Sequence, residues 1–137
     1  MNYLEHPYDP GRVSPRLSLD FVIENPQVEG MSKPCRGILD TGSEVTFIPE
    51  DCLLRLGLST IGSPAEIRGL GGVKKYYPYA AEIGFDGNPN KLVEVYGWQY
   101  NYALLGMDWL EEYCVQLDGP CGAFRFMESR CDSSEEE

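Results

Sequence analysis

One carboxylate, Asp40, opens the turn Thr41-Gly42-Ser43 directly after the apolar run Gly37-Ile38-Leu39. A charged group beside a core must be paired, hydrated or neutralised, so this placement costs stability. Gly42 lets the backbone approach another group closely, and Thr41 supplies a hydroxyl that can lock the turn. Residue types alone leave two readings open, a turn or capping aspartate and a catalytic acid. Other chemistries lack their parts. The single histidine, His6, falls in a Pro-rich arm, so hydrolases built on Ser-His or Cys-His have no base. The five cysteines, at positions 35, 52, 114, 121 and 131, show no C-x-x-C spacing, which speaks against a zinc site and leaves metal ligands unassigned. Their odd number predicts free, partly buried thiols in a reducing compartment.

The elements around Asp40 read as strands and turns. Residues 16–24, RLSLDFVIE, alternate Leu17, Leu19, Phe21 and Ile23 on one side, the pattern of a half-buried strand. A turn over NPQVEGMSKP returns the chain to a second strand, residues 35–39, which runs into Asp40. Thr46-Phe47-Ile48 are β-formers. Pro49, expected at the first helical position, opens PEDCLLRLG with acids in the first turn and Gly57 past the end, the signature of a short helix. Gly69-Leu70-Gly71-Gly72 separates two extended runs, and DGNPN separates 80–85 from 92–98, so both read as hairpins. A short strand over 102–105 ends at Gly106. Asp108 with Glu111 three residues on has capping-box spacing for a second helix. Residues 115–117 and 123–126 close the domain around DGPCG.

At 137 residues the chain has room for one domain, with the boundaries expected as a flexible arm over 1–15, a folded body over 16–127 and an acidic disordered tail over 128–137. Fifteen Gly and ten Pro beside nine Tyr and five Phe predict a turn-rich, mainly β protein. Eleven Lys and Arg face 22 Asp and Glu, a net charge of −11, of which the tail supplies −4 and the body −7. No basic stripe is present, which disfavours nucleic-acid binding. The lack of an apolar run of roughly 18 residues and of a signal-like start predicts no membrane contact and a cytoplasmic location.

Four segments, in order, then resemble the retropepsin-like aspartic proteases, the retroviral and retrotransposon-type half-sized relatives of pepsin. Ile38-Leu39-Asp40-Thr41-Gly42-Ser43 resembles their apolar-apolar-D-T-G-[SA] loop, and residues 48–58, IPEDCLLRLGL, are similar to the segment that follows it. Gly69-Leu70-Gly71-Gly72 resembles the tip of the flap hairpin. Residues 103–110, ALLGMDWL, resemble the apolar-apolar-Gly stretch before the C-terminal helix, in a form most like Ty3/gypsy elements. The resemblance covers about residues 16–127 and implies a closed, mainly β acid-protease barrel with one or two short helices.

It also implies an endopeptidase that cleaves polypeptides without a metal or organic cofactor. Two carboxylates share one proton in such a site, and one chain offers a single D-T-G, so the expected assembly is a homodimer with Asp40 facing Asp40. Asp40, Thr41 and Gly42 form the expected catalytic loop, with Thr41 bracing the two loops across the dimer. Ser43 and the flap residues Gly69, Leu70, Gly71 and Gly72 are expected to bind substrate, with Gly71 needing torsions that a β-branched residue resists. Ile38, Phe47, Tyr102 and Leu104 either line apolar subsites or belong to the core. Met107 and Glu44 stand where retroviral members carry an Arg and an Asp, so that ion pair is absent. The rival reading keeps the fold as a non-catalytic dimerisation or peptide-binding module.

Overall fold

The computed structural model describes residues 5–7, 17–69, 71–85 and 90–127. The chain runs through β1 (Glu5–Pro7), β2 (Ser18–Glu24), β3 (Ser32–Leu39), β4 (Phe47–Pro49), α1 (Glu50–Arg55), β5 (Ala65–Gly69) and β6 (Gly72–Tyr76). It continues through β7 (Pro78–Gly84), β8 (Lys91–Trp98), β9 (Ala103–Leu105), α2 (Met107–Leu110), β10 (Cys114–Asp118) and β11 (Ala123–Met127). Six strands close into a barrel in the order β2-β3-β9-β4-β8-β7, with β2 pairing β7 to complete the ring. β5 and β6 form a separate hairpin, and β1-β11-β10 form a small sheet.

Alternation explains the barrel wall. Along β2, Leu19, Phe21 and Ile23 are buried while Asp20 and Val22 face out, and β8 repeats the pattern with Val93 and Val95 inward. Tyr79, Ala81 and Ile83 of β7 meet them, and Leu53 of α1 with Leu56 at its C-cap joins the same core. Trp109, Phe124 and Phe126 fill the other side with Phe85 and Tyr113, their rings mostly edge-on or tilted.

The order of strands sets up the site. β3 and β4 follow one another in sequence but do not pair; β9 lies between them, parallel to β3 and antiparallel to β4. The loop from Asp40 to Thr46 must therefore cross over the end of β9, where Leu105 passes into Gly106.

Several expectations change on contact with the structure. Pro49 is the N-cap of α1, not its first helical residue; its ψ of 125° keeps it extended, and the acids Glu50 and Asp51 occupy the first turn. Gly57 ends the segment with φ 75°, the left-handed geometry a glycine tolerates best. Asp108 does not cap α2. Gly106 holds the N-cap position, and the Asp108 carboxylate reaches instead to Thr46, which offers it both a hydroxyl and a backbone N–H. His6 is no loose arm residue: Glu5–Pro7 pair with Arg125, Phe124 and Ala123 of β11, and the imidazole stacks on Phe124 at 5.0 Å. The expected tail over 128–137 lies outside the described residues, as does most of the arm. Among the described residues no helix is long and apolar enough to cross a membrane.

Candidate active site

Two backbones lock together where the loop after β3 crosses β9. Asp40 N–H donates to the Leu105 carbonyl at 3.0 Å, Met107 N–H to the Ser43 carbonyl at 2.7 Å, and Asp108 N–H to the Glu44 carbonyl at 3.2 Å. Thr46, fully buried, ties the crossing from its other side. Its hydroxyl donates to Asp108 Oδ1 at 2.8 Å and accepts from Gly106 N–H at 3.1 Å, while its own N–H donates to Asp108 Oδ2. Burial pushes the Asp108 carboxyl up from its ordinary pKa, and the hydrogen bonds from Thr46 partly offset this. The crossing has no room for a side chain at Gly106. A Cβ there would overlap the Val45 carbonyl oxygen and sit 2.7 Å from its carbon and 2.8 Å from the Ser43 oxygen.

This frame holds Asp40 half exposed at the rim of a cleft. Its Oδ1 accepts from Gly42 N–H at 2.8 Å, the turn role that residue types allowed, and no other hydrogen bond or cation reaches its side chain among the described residues. Ser43 Oγ donates to the Val45 carbonyl at 2.7 Å, closing the loop on itself. The cleft, about 450 Å³, lies between this loop and the β5-β6 hairpin. Asp40, Gly42, Ser43, Phe47 and Leu104 line it from the loop and barrel, and Gly69, Gly71 and Gly72 line it from the hairpin. Phe47 is fixed by a stack on Trp98 at 4.7 Å and an edge contact with Tyr76 at 4.9 Å.

Asp40 thus stands on a Thr-Gly turn, held by the paired loop, beside a cleft that the hairpin glycines also line. A family model described as aspartyl protease matches residues 25–109, more than half of the chain. The chain belongs to the aspartyl protease family. No curated protein matches it by sequence. Among solved structures it is similar to a retropepsin-like aspartic protease from Rickettsia conorii, 13% identical, covering 91% of this chain and 90% of that one with a TM-score of 0.63. It is also similar to the EIAV protease, 20% identical over 77% and 91% of the two chains with a TM-score of 0.56. The simian foamy virus (mac) protease, 21% identical over 69% and 91%, gives a TM-score of 0.50. At these identities the structures show the fold, which is retropepsin-like; the family match makes the chain a peptide hydrolase.

Within this protease the residues singled out from sequence do not all meet. Ile38 and Tyr102 line a second cleft, of about 630 Å³, on the far side of Trp98, together with Cys35 and Cys52. Thr41 faces a third, apolar groove with Leu17, Leu39, Met107, Tyr113 and Leu117. Asp40 borders both this groove and the cleft. Leu70 lies outside the described residues. The left-handed residue of the hairpin tip is Gly72, with φ 106°, rather than Gly71. Sequence reasoning missed Ile67, Lys74, Tyr76, Trp98 and Tyr100 in the cleft wall. A period-2 reading of the hairpin would have found the first three, because Ile67 pairs with Lys74 and Ala65 with Tyr76 on one face.

Proposed function

We propose that the chain is an aspartic endopeptidase that works as a homodimer, with Asp40 of each protomer forming the two-carboxylate dyad. The observation that carries this reading is the position of Asp40 at the junction of the cleft and the apolar groove. A partner seated on the groove would bring a second Asp40 beside the first. The groove suits such a partner. Leu117 is 59% exposed and Met107 is 38% exposed, and Leu110 and Tyr113 lie beside them. Met107 is thus an apolar contact where retroviral members place an Arg, so the missing ion pair is replaced by burial.

Two carboxylates a few ångströms apart cannot both ionise, so the dyad holds one proton between them. The ionised member takes a proton from water as it attacks the scissile carbonyl. The protonated member polarises that carbonyl and later delivers its proton toward the leaving nitrogen. Gly42 N–H, already bonded to Asp40 Oδ1, orients the carboxylate and leaves its other oxygen for water. Thr41, on the groove side of the loop, would brace the two loops against each other. The glycines at 69, 71 and 72 would lie over an extended peptide, with Leu70 offering its backbone N–H, while Ser43, Phe47 and Leu104 meet the substrate from below. Ile38 and Tyr102 enter this scheme only as the back wall of the neighbouring cleft. The free thiols of Cys35, Cys52, Cys114 and Cys121 support a reducing, cytoplasmic setting.

Asp40→Asn tests the assignment, since it keeps size and most hydrogen bonding but removes the base and the shared proton. Turnover of a denatured protein at pH 4 to 7 is expected to vanish, with the sedimentation coefficient of the dimer unchanged. Undiminished cleavage by this variant would refute the role of Asp40. A wild-type chain that sediments as a monomer and binds peptides without cutting them would favour the peptide-binding module.

A further inference from the structure

The β5-β6 hairpin carries charge of the opposite sign to the rest of the molecule. Between Ala65 and Tyr76 there are three cations, Arg68, Lys74 and Lys75, and one carboxylate, Glu66, in a chain of net charge −11. The strand register sorts them. Glu66 stands opposite Lys75 on one face, where the two signs cancel. Ile67, Gly69, Gly72, Lys74 and Tyr76 share the other face, and all five line the cleft. Arg68 borders the cleft as well. Among the described lining residues the only carboxylate is Asp40, and no acid of the described residues stands within ion-pair distance of Lys74 or Arg68.

An unpaired ammonium held over a cleft by strand register, against a wall of Phe47, Tyr76 and Trp98, is arranged to meet a negative side chain beside an apolar one. We infer that Lys74, with Arg68 at the rim, makes the enzyme selective for polypeptides that carry a Glu or Asp flanking the apolar residues at the scissile bond. The inference rests on the proteolytic reading above and adds the substrate class. The acidic body repels such peptides at long range, so the hairpin is where their recognition must occur. When peptide fills the cleft, water leaves the neighbourhood of Lys74, and the pair gains more than an exposed one would. Lys74 acts on binding and not on the bond-breaking step, so its effect belongs in KM.

The test uses the full-length chain and a cleavable peptide in which each flanking position in turn is Glu or Gln. At one or more positions kcat/KM for the Glu peptide is expected to exceed that for the Gln peptide by about three- to tenfold, carried by KM and shrinking as salt screens the pair. Lys74→Met should bring the ratio near one, and Lys74→Glu should turn the preference toward Lys at the same position. A ratio below about two at every position, or one that Lys74→Met leaves unchanged, overturns the inference while leaving the protease intact. The Asp40→Asn chain separates the two readings: titrated with the same peptides and followed by Trp98 fluorescence, it reports binding without turnover. Tighter binding of Glu than Gln peptides there, lost in the Asp40→Asn, Lys74→Met double variant, upholds the charge selection even if no peptide is cut. Equal binding of both series, or none, overturns it.

Discussion

Gly106→Ala puts the crossing of the Asp40 loop over β9 under direct load. The backbone torsions of Gly106, φ −93° and ψ −173°, suit alanine, so no conformational strain enters; the whole effect is steric. The atoms a new methyl would strike, the Val45 and Ser43 carbonyls, are backbone and cannot rotate away. The loop must therefore lift, and lifting stretches the bonds from Asp40 N–H to Leu105 O, Gly106 N–H to Thr46 Oγ1 and Met107 N–H to Ser43 O. Overpacking of this kind costs about 1–3 kcal/mol, and each hydrogen bond weakened in a buried place about 0.5–1.5 kcal/mol more. The smaller entropy of alanine in the unfolded chain returns about 0.4–1 kcal/mol. With two of these three bonds compromised, the net loss is about 2–4 kcal/mol. Urea unfolding followed by tryptophan fluorescence would show it as a midpoint lowered by about 1–2 M, taking a slope of about 2 kcal/mol/M. Gly119→Ala is the control, since nothing lies within 4 Å of a Cβ there, and it should change stability by less than about 0.5 kcal/mol. Activity of Gly106→Ala should fall further than its stability, because the displaced segment is the one that carries Asp40. A variant as stable as wild type to within about 0.5 kcal/mol would refute the steric account of this glycine.

Two further predictions come from outside the crossing. Cys52 is drawn down to a pKa of about 7, chiefly because Cys35 donates a hydrogen bond to its thiolate, with Lys33 and Arg55 adding attraction, whereas that same bond and then burial push Cys35 up. Alkylation of Cys52 by iodoacetamide should therefore reach half its maximal rate near pH 7, and Cys35→Ala should move that midpoint toward the ordinary thiol range; a midpoint that stays put would show that Cys35 is not the cause. A depressed folded pKa also means that this group stabilises the fold above the unfolded thiol pKa and loses that contribution as pH falls through about 7, so stability should rise between about pH 7 and 9 and do so less in Cys35→Ala. At the hairpin tip, Gly72→Val must adopt φ 106° with a β-branched side chain, a cost of about 1–3 kcal/mol borne by the hairpin, and should impair turnover more than Gly71→Val, which meets open space and needs no positive φ. Steady-state kinetics of the pair decide it, and equal impairment of both would argue against torsion as the reason.

The period-2 and Gly/Pro signals were enough to read most of the strands and both hairpins, because each depends on local sequence. The barrel's closure was not readable that way. It depends on β9, three residues long, entering between β3 and β4 from more than fifty residues away, and no local pattern announces such a partner. Asp108 shows the same limit in miniature. Its spacing to Glu111 matches a cap, yet Thr46, 62 residues earlier, offers two donors in a buried place, and two hydrogen bonds there outcompete one at a helix end. Asp40, Thr41 and Gly42 could be singled out because their residue types stand consecutively in the sequence. Lys74 and Trp98 were missed because their membership of the cleft is a matter of register and of a hairpin folding back.

The crossing also explains why two separate sequence segments act as one unit. Asp40 gains its position from Leu105, Ser43 from Met107, and Thr46 from Gly106 and Asp108, so neither the D-T-G loop nor the L-L-G stretch can be placed without the other. Glycine at 106 is demanded by the approach of the loop, and threonine at 46 by the need to satisfy a half-buried carboxylate and a buried N–H with a single hydroxyl. Valine at 46 would match the shape of threonine and still leave Asp108 and Gly106 N–H each short of a partner. The Asp40 carboxylate itself sits outside this dense network, held by one hydrogen bond from Gly42. A rigid scaffold thus ends in a lightly held acid with one carboxylate oxygen uncommitted among the described residues, as the proposed dyad would require.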